Sequence, residues 1–193
     1  AIADRHGEMA GEPVALAPLP EGGAEAFVHG WVGAARDGEF LVVRVVWHET
    51  IGNLNVYVLA DRIDASGHPV SSMHTTLQLE YFDYVYALGG GGDGYLFVAA
   101  HRNRGTVTAY SLDASGVFSG TPMTLAAHDP NRASIAARPV SVRDGSRYLV
   151  VWQPAFSWGE TEIRMASIPD GASSAPESQD IASWNAYPGG LAF

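Results

Sequence analysis

Apolar and polar positions along this chain fall into short runs, and Gly, Asp, Ser and Pro separate one run from the next. The runs are rich in β-branched and aromatic residues and no sustained 3.6-residue period develops, which predicts strands joined by turns rather than helices. The most apolar run holds Phe40, Leu41, Val42, Val43, Val45, Val46 and Trp47 with one interruption. A strand written this way is expected to be covered on both faces.

The run recurs. Asp37-Gly38-Glu39-Phe40-Leu41-Val42-Val43 reappears as Asp93-Gly94-Tyr95-Leu96-Phe97-Val98 and again as Asp144-Gly145-Ser146-Arg147-Tyr148-Leu149-Val150-Val151-Trp152. Leu41, Leu96 and Leu149 stand 55 and 53 residues apart. A second landmark follows each run in the same order: Ile63-Asp64-Ala65-Ser66-Gly67 matches Leu112-Asp113-Ala114-Ser115-Gly116, and Ile168-Pro169-Asp170-Gly171 is a degraded third copy. In such a turn the Asp carboxylate accepts from an amide two residues on, and Gly supplies a positive φ.

Each repeat reads as four strands. The first copy predicts them at 26–33, 40–48, 55–64 and 72–79; the second at 84–88, 95–101, 106–112 and 122–126; the third at 135–142, 148–153, 162–168 and 178–182. Pro13 to Leu16 reads as a lone fourth strand before them, and Tyr187 to Phe193 as the start of another first strand after them. Gly89 to Gly94 lacks the Gly-Lys-Ser/Thr ending of a phosphate-binding loop, and no helix is expected to follow it, so it reads as a flexible hairpin.

Tyr-Leu-Val-Val-Trp at 148–152, followed by a strand that ends in Asp-Ala-Ser-Gly at 64–67 and 113–116, resembles the degenerate β-propeller repeats of large exported bacterial proteins. The likeness covers about residues 24–182, with Ala99-Ala100 standing where the third copy has Val151-Trp152. It implies an all-β fold: a β-propeller portion of three complete four-stranded antiparallel blades plus flanking strands. Residues 1–12 are then an N-terminal extension, 13–193 the propeller portion, with blades at about 24–80, 82–127 and 134–183 and partial strands at 13–17 and 186–193. Ser111, Asp113, Gly116 and Phe118 also resemble an Asp box with one extra residue before the glycine, which is a hairpin device and not a catalytic one.

Propellers close with about four to eight blades. Pairing two chains head to tail would set a lone first strand beside a lone fourth strand with no middle strands between them. The pattern therefore predicts that the remaining blades lie in the same polypeptide or in a different chain.

Composition narrows the chemistry. The formal charge is −10, and the 11 basic residues are all arginine, scattered singly from Arg5 to Arg164. Without a basic stripe to release counterions from phosphates, no nucleic-acid partner is expected. Cysteine is absent, which removes thiolate metal sites, disulfides and thiol nucleophiles. No apolar run approaches the roughly 20 residues of a spanning helix, and Ala1 to Gly11 has no apolar core of a signal peptide. The resemblance places the protein outside the cytoplasm: secreted, periplasmic or on the cell surface.

Candidate site residues gather between the second and third strands of each repeat. His48 and His101 end the second strand of the first two copies, where Gln153 stands in the third; either histidine could meet a ligand at a rim or bond a loop. Two histidines with no accompanying His-x-x-x-His or Asp-x-Asp-x-Asp-Gly motif predict no metal site and no cofactor. Trp47, Tyr57 and Trp152 lie beside these loops, and Trp47 and Trp152 read mainly as packing between blades. Phe156 and Trp158, in the longest loop, read as a stacking platform for a sugar ring or an apolar patch for a protein, with Asn53, Asn55, Glu160 and Arg164 available to hydroxyls.

No Gly-x-Ser-x-Gly is present, and Ser71, Ser72 and His74 are merely close in sequence. The expectation is a noncatalytic module that binds glycan or protein through one rim. The rival is a glycan hydrolase or lyase whose carboxylates, drawn from Glu49, Asp83, Glu160 and Glu162, converge on a channel. A structural subunit of an assembly of different chains is the third reading.

Overall fold

The structure, a computed structural model, describes residues 2–3, 9–10, 15–16, 18–19, 26–50, 53–76, 84–101, 105–127, 137–144, 146–153 and 160–185. Every regular element among them is a strand, and every pairing is antiparallel.

A minimal pair, β1 (Ile2–Ala3) and β2 (Met9–Ala10), precedes three four-stranded sheets. The first sheet runs β3 (Ala26–Arg36), β4 (Glu39–Thr50), β5 (Asn53–Ile63) and β6 (Pro69–Thr76). The second holds β7 (Tyr84–Gly91), β8 (Gly94–His101), β9 (Thr106–Asp113) and β10 (Phe118–Ala126). The third holds β11 (Ala137–Asp144), β12 (Arg147–Gln153), β13 (Glu160–Pro169) and β14 (Gln179–Asn185). In each sheet the strands pair in chain order as a meander.

The sheets pack face to face, and the pleat sorts side chains between two interfaces. On β8, Tyr95, Phe97 and Ala99 face the first sheet and meet Leu41, Val43, Val45, Trp47, Val56, Val58 and Ala60. The alternate residues Leu96, Val98 and Ala100 face the third sheet and meet Tyr148, Val150, Trp152, Ala166 and Ile168. Both faces of β8 are thus covered, which is why its apolar run is unbroken. Removing a core aromatic such as Phe97, fully buried here, would cost about 3–5 kcal/mol.

Among the described residues the backbones of neighbouring sheets approach most closely at the first strands, β3 with β7 and β7 with β11. Among the described residues no interface joins the first sheet to the third, so the stack is open.

Three sequence expectations change. Gly89 to Gly91 belong to strand β7 and pair with Leu96, Tyr95 and Gly94, so the glycine run is ordered sheet and only Gly92 and Asp93 turn. The reason is steric: a Cβ at Gly90 would lie 2.6 Å from the Ala35 carbonyl oxygen of β3. Ala15 and Leu16 are not in a strand, so the lone fourth strand predicted there does not form over them; Pro13, Val14 and the stretch from Tyr187 lie outside the described residues. Strands β3 and β4 are also longer than predicted.

Candidate functional site

The turns fix which ends of the sheets share a rim. The Arg36 Nε donates to the Gly92 carbonyl at 2.8 Å, and the Tyr148 hydroxyl donates to the carbonyls of Gly91 and Gly94 at 2.9 and 3.0 Å. The first hairpin turns of all three sheets are therefore drawn together at one end. The third turns share it, because Phe40 pairs with Ile63, Gly94 with Asp113 and Arg147 with Pro169.

Hydrogen bonds explain the Asp-Ala-Ser-Gly sequence at this turn rim. The Asp64 Oδ1 accepts the amides of Ser66 and His68 at 2.9 and 2.8 Å. The Asp113 Oδ1 accepts the Ser115 and Val117 amides at 2.8 and 3.0 Å and the Ser115 hydroxyl at 2.6 Å. Gly67 and Gly116 both take φ of +86°. The His68 amide, chief among its donors, lowers the Asp64 pKa. At Asp113 burial pushes the pKa up, but the Ser115 hydroxyl and the surrounding amides outweigh it and hold it below the usual range.

Strands β4, β8 and β12 consequently end, and β5, β9 and β13 begin, at the opposite end, where several of the residues singled out from sequence stand. His48 lies near the end of β4, paired in register with Asn55, and Asn53 opens β5 opposite Thr50. Glu160 opens β13 opposite Asn185. The side chains of His48, Asn53, Asn55 and Glu160, and all of Phe156 and Trp158, lie outside the described residues.

His101 closes β8 and pairs with Tyr84 and Thr106; it is only 5% exposed. Nor is it the counterpart of His48. With the three leucines aligned, His101 stands five residues beyond Leu96, where the first sheet has Val46. His48 lies two residues farther out because β4 has 12 residues and β8 only 8. Trp47 and Trp152 are buried between sheets, and Arg164 pairs with Asp180 of β14 at 2.9 Å.

Sequence reasoning missed a cluster on the inner side of this rim. His29 is the extra residue of a bulge in β3, between Val28 and Gly30. Its ring stacks on Trp47 at 4.1 Å between centroids and meets the Tyr86 ring edge-on at 5.9 Å, with Nδ1 3.2 Å from the Tyr86 hydroxyl. From Tyr86 the aromatic contacts continue through Phe97 to Tyr110 and Phe118 across the whole interface. Phe118, the aromatic of the near Asp box, is thereby turned inward. A single inserted residue leaves no periodic signal, and the glycine at position 30, whose Cβ would come 2.9 Å from the Tyr86 ring, is the only trace of the packing.

Among the described residues no group of three His, Cys, Asp or Glu side chains could hold a metal ion, and no helix is long and apolar enough to cross a membrane. The sequence matches no family model, and no curated protein matches it.

Proposed function

We propose that this chain is a β-propeller portion of an exported bacterial protein and serves as a noncatalytic binding module, engaging glycan or protein through the rim where the β4–β5, β8–β9 and β12–β13 connections emerge. The observation that carries the reading is that β4, β8 and β12 all end on the side opposite the Asp-Ala-Ser-Gly turns, so that the strand ends carrying His48, Asn53 and Asn55 lie on the side from which the chain leaves β12 toward Phe156 and Trp158. Meander sheets packed face to face, closest at their first strands, are the arrangement that propeller blades adopt around a central axis. The export assignment rests on the resemblance of the repeats.

Rigid sheets presenting variable loops suit recognition, since large apolar loop residues need something to cover them. Aromatic rings stack on the apolar face of a sugar, and amide or carboxylate groups beside them bond its hydroxyls. Screening the chain on a glycan array and by affinity electrophoresis is expected to give ligands that Phe156→Ala with Trp158→Ala weakens tenfold or more, at unchanged thermal stability. Full binding by that folded double variant rejects the loop, and release of reducing sugar from a bound polysaccharide rejects the noncatalytic assignment.

A further inference from the structure

Asp-Gly occurs four times in the chain, at 37–38, 93–94, 144–145 and 170–171. In this dipeptide the glycine amide nitrogen can attack the aspartate carboxyl carbon: an N–C bond forms, a C–O bond breaks, and water leaves behind a five-membered succinimide. Water then opens the ring at either carbonyl. One opening returns aspartate; the other gives isoaspartate, in which the main chain runs through the side-chain carbons. The reaction takes up no oxidant or reductant, and a glycine without a Cβ leaves its nitrogen accessible. By sequence the four sites are equal, and the fold separates them.

Asp37 and Gly38 are the two central residues of the β3–β4 hairpin, between the paired Arg36 and Glu39. Both take positive φ, +50° and +80°. In such a turn the amide of the second central residue stands outside the ladder, and the Gly38 amide makes no turn hydrogen bond among the described residues. The Asp37 side chain is 80% exposed, with Oδ2 3.2 Å from the Arg36 Nε. Asp37 is also the one non-glycine residue with positive φ among the described residues, so moving it toward the cyclic product relieves backbone strain.

At Asp93 the turn sits one residue earlier. Gly92 and Asp93 are central, and Gly94 belongs to β8, paired with Gly91 on one side and Asp113 on the other. A Cβ at Gly94 would collide with the Leu112 carbonyl oxygen, and the Gly94 carbonyl accepts the Tyr148 hydroxyl. The attacking nitrogen is therefore fixed inside a sheet. Gly171 is open at φ +70°, but the Asp170 amide is held by the Ser146 carbonyl at 2.9 Å. Gly145 lies outside the described residues.

We infer that Asp37-Gly38 is a site of spontaneous modification in the folded protein, cyclising to the succinimide and reopening as isoaspartate, while the sheet protects Asp93-Gly94. The extra main-chain carbon enters a two-residue turn whose neighbour, Arg36, braces the second sheet at Gly92. Ala65 of the first sheet's third turn already lies 3.8 Å from the Cβ position of Gly38. Isoaspartate at 37 therefore loosens the first two sheets at their turn rim, a change that accumulates as the protein ages.

The test is to age the folded chain in water enriched in heavy oxygen, digest it in ordinary water, and map the label by mass spectrometry. Each passage through the ring exchanges one carboxyl oxygen for a heavy one, and electron-transfer fragmentation both locates the label and separates isoaspartate from aspartate. In denaturant Asp37 and Asp93 should take up label at similar rates. In the folded chain Asp37 should lead Asp93 by about tenfold or more, because Gly94 must first leave its ladder. Asp37→Asn, which forms the same ring by losing ammonia, should convert faster than the native chain. Amide exchange at Gly92 and Asp93 should quicken as the native chain ages and stay constant in aged Asp37→Ser, which forms no ring. An Asp37 that stays unlabelled in the folded chain overturns the inference, as does equal uptake at Asp37 and Asp93. Isoaspartate at 37 with unchanged exchange at Gly92 and Asp93 overturns its effect on the junction.

Discussion

Arg44 and Asp61 are charged residues in a position that the other sheets fill with neutral ones. Counting from the aligned leucines, Arg44 corresponds to Ala99 and Trp152, and Asp61, two pairs closer to the turn, to Tyr110 and Ala166. Arg44 is 9% and Asp61 1% exposed, and Nε donates to Oδ2 at 2.7 Å. The other carboxylate oxygen, Oδ1, is buried with no hydrogen-bond partner among the described residues. Replacing both partners of a buried ion pair by apolar residues is commonly close to neutral, whereas removing one partner strands the other charge out of water. Asp61→Ala is expected to lower the stability by about 3–5 kcal/mol, and Arg44→Met with Asp61→Leu to restore most of that loss. Urea unfolding of the three variants decides it; equal losses in the single and the double would show that packing, rather than the stranded charge, sets the cost.

Among the elements, the Asp-Ala-Ser-Gly turns are the most legible from sequence, because a short side chain bonding its own backbone is a local event that needs no distant partner. The predicted bond from Asp to the amide two residues on is present in both full copies. A pH prediction follows from Asp113, whose carboxyl is held below its unfolded value. A depressed carboxylate contributes stability that is whole above about pH 4 and is lost as pH falls through the native pKa. Asp113→Asn keeps an acceptor and removes the titration. It should cost about 1 kcal/mol at neutral pH, given the exposed site, and should flatten the loss of stability between about pH 4 and pH 2. Parallel acid profiles for the two proteins would discard that account.

Strands written in large apolar residues were equally legible, since two-sided burial shows directly as an unbroken run. What the pattern could not show is where side chains are missing for a reason. Gly89 to Gly91 look like a loop because glycine carries no periodicity, yet they are sheet, and Gly90 is held small by the backbone of β3. The same silence hid the His29 bulge. At the rim, sequence placed the candidate residues on the right strand ends but not at the right depth, because strand length, and with it the equivalence of His48 and His101, is set by pairing rather than by local composition.

For the molecule as a whole, the middle sheet is the keystone, and its first hairpin is braced from both sides. Arg36 reaches it from the first sheet at Gly92, and Tyr148 from the third at Gly91 and Gly94. Each brace crosses a different interface, so neither residue touches the other sheet's core, yet both act on one short turn rich in glycine and therefore costly to order. Such residues should be coupled through the element they share rather than independent. Tyr148→Phe and Arg36→Met are each expected to cost about 1–2 kcal/mol from the lost bonds. While one brace remains the hairpin keeps its place, so the double variant should lose roughly 0.5–1 kcal/mol more than the two single losses combined. A double-mutant cycle by denaturant unfolding measures that excess directly. Strict additivity would mean that the hairpin is held by its own strand pairing, and that the two interfaces of the middle sheet stand independently of each other.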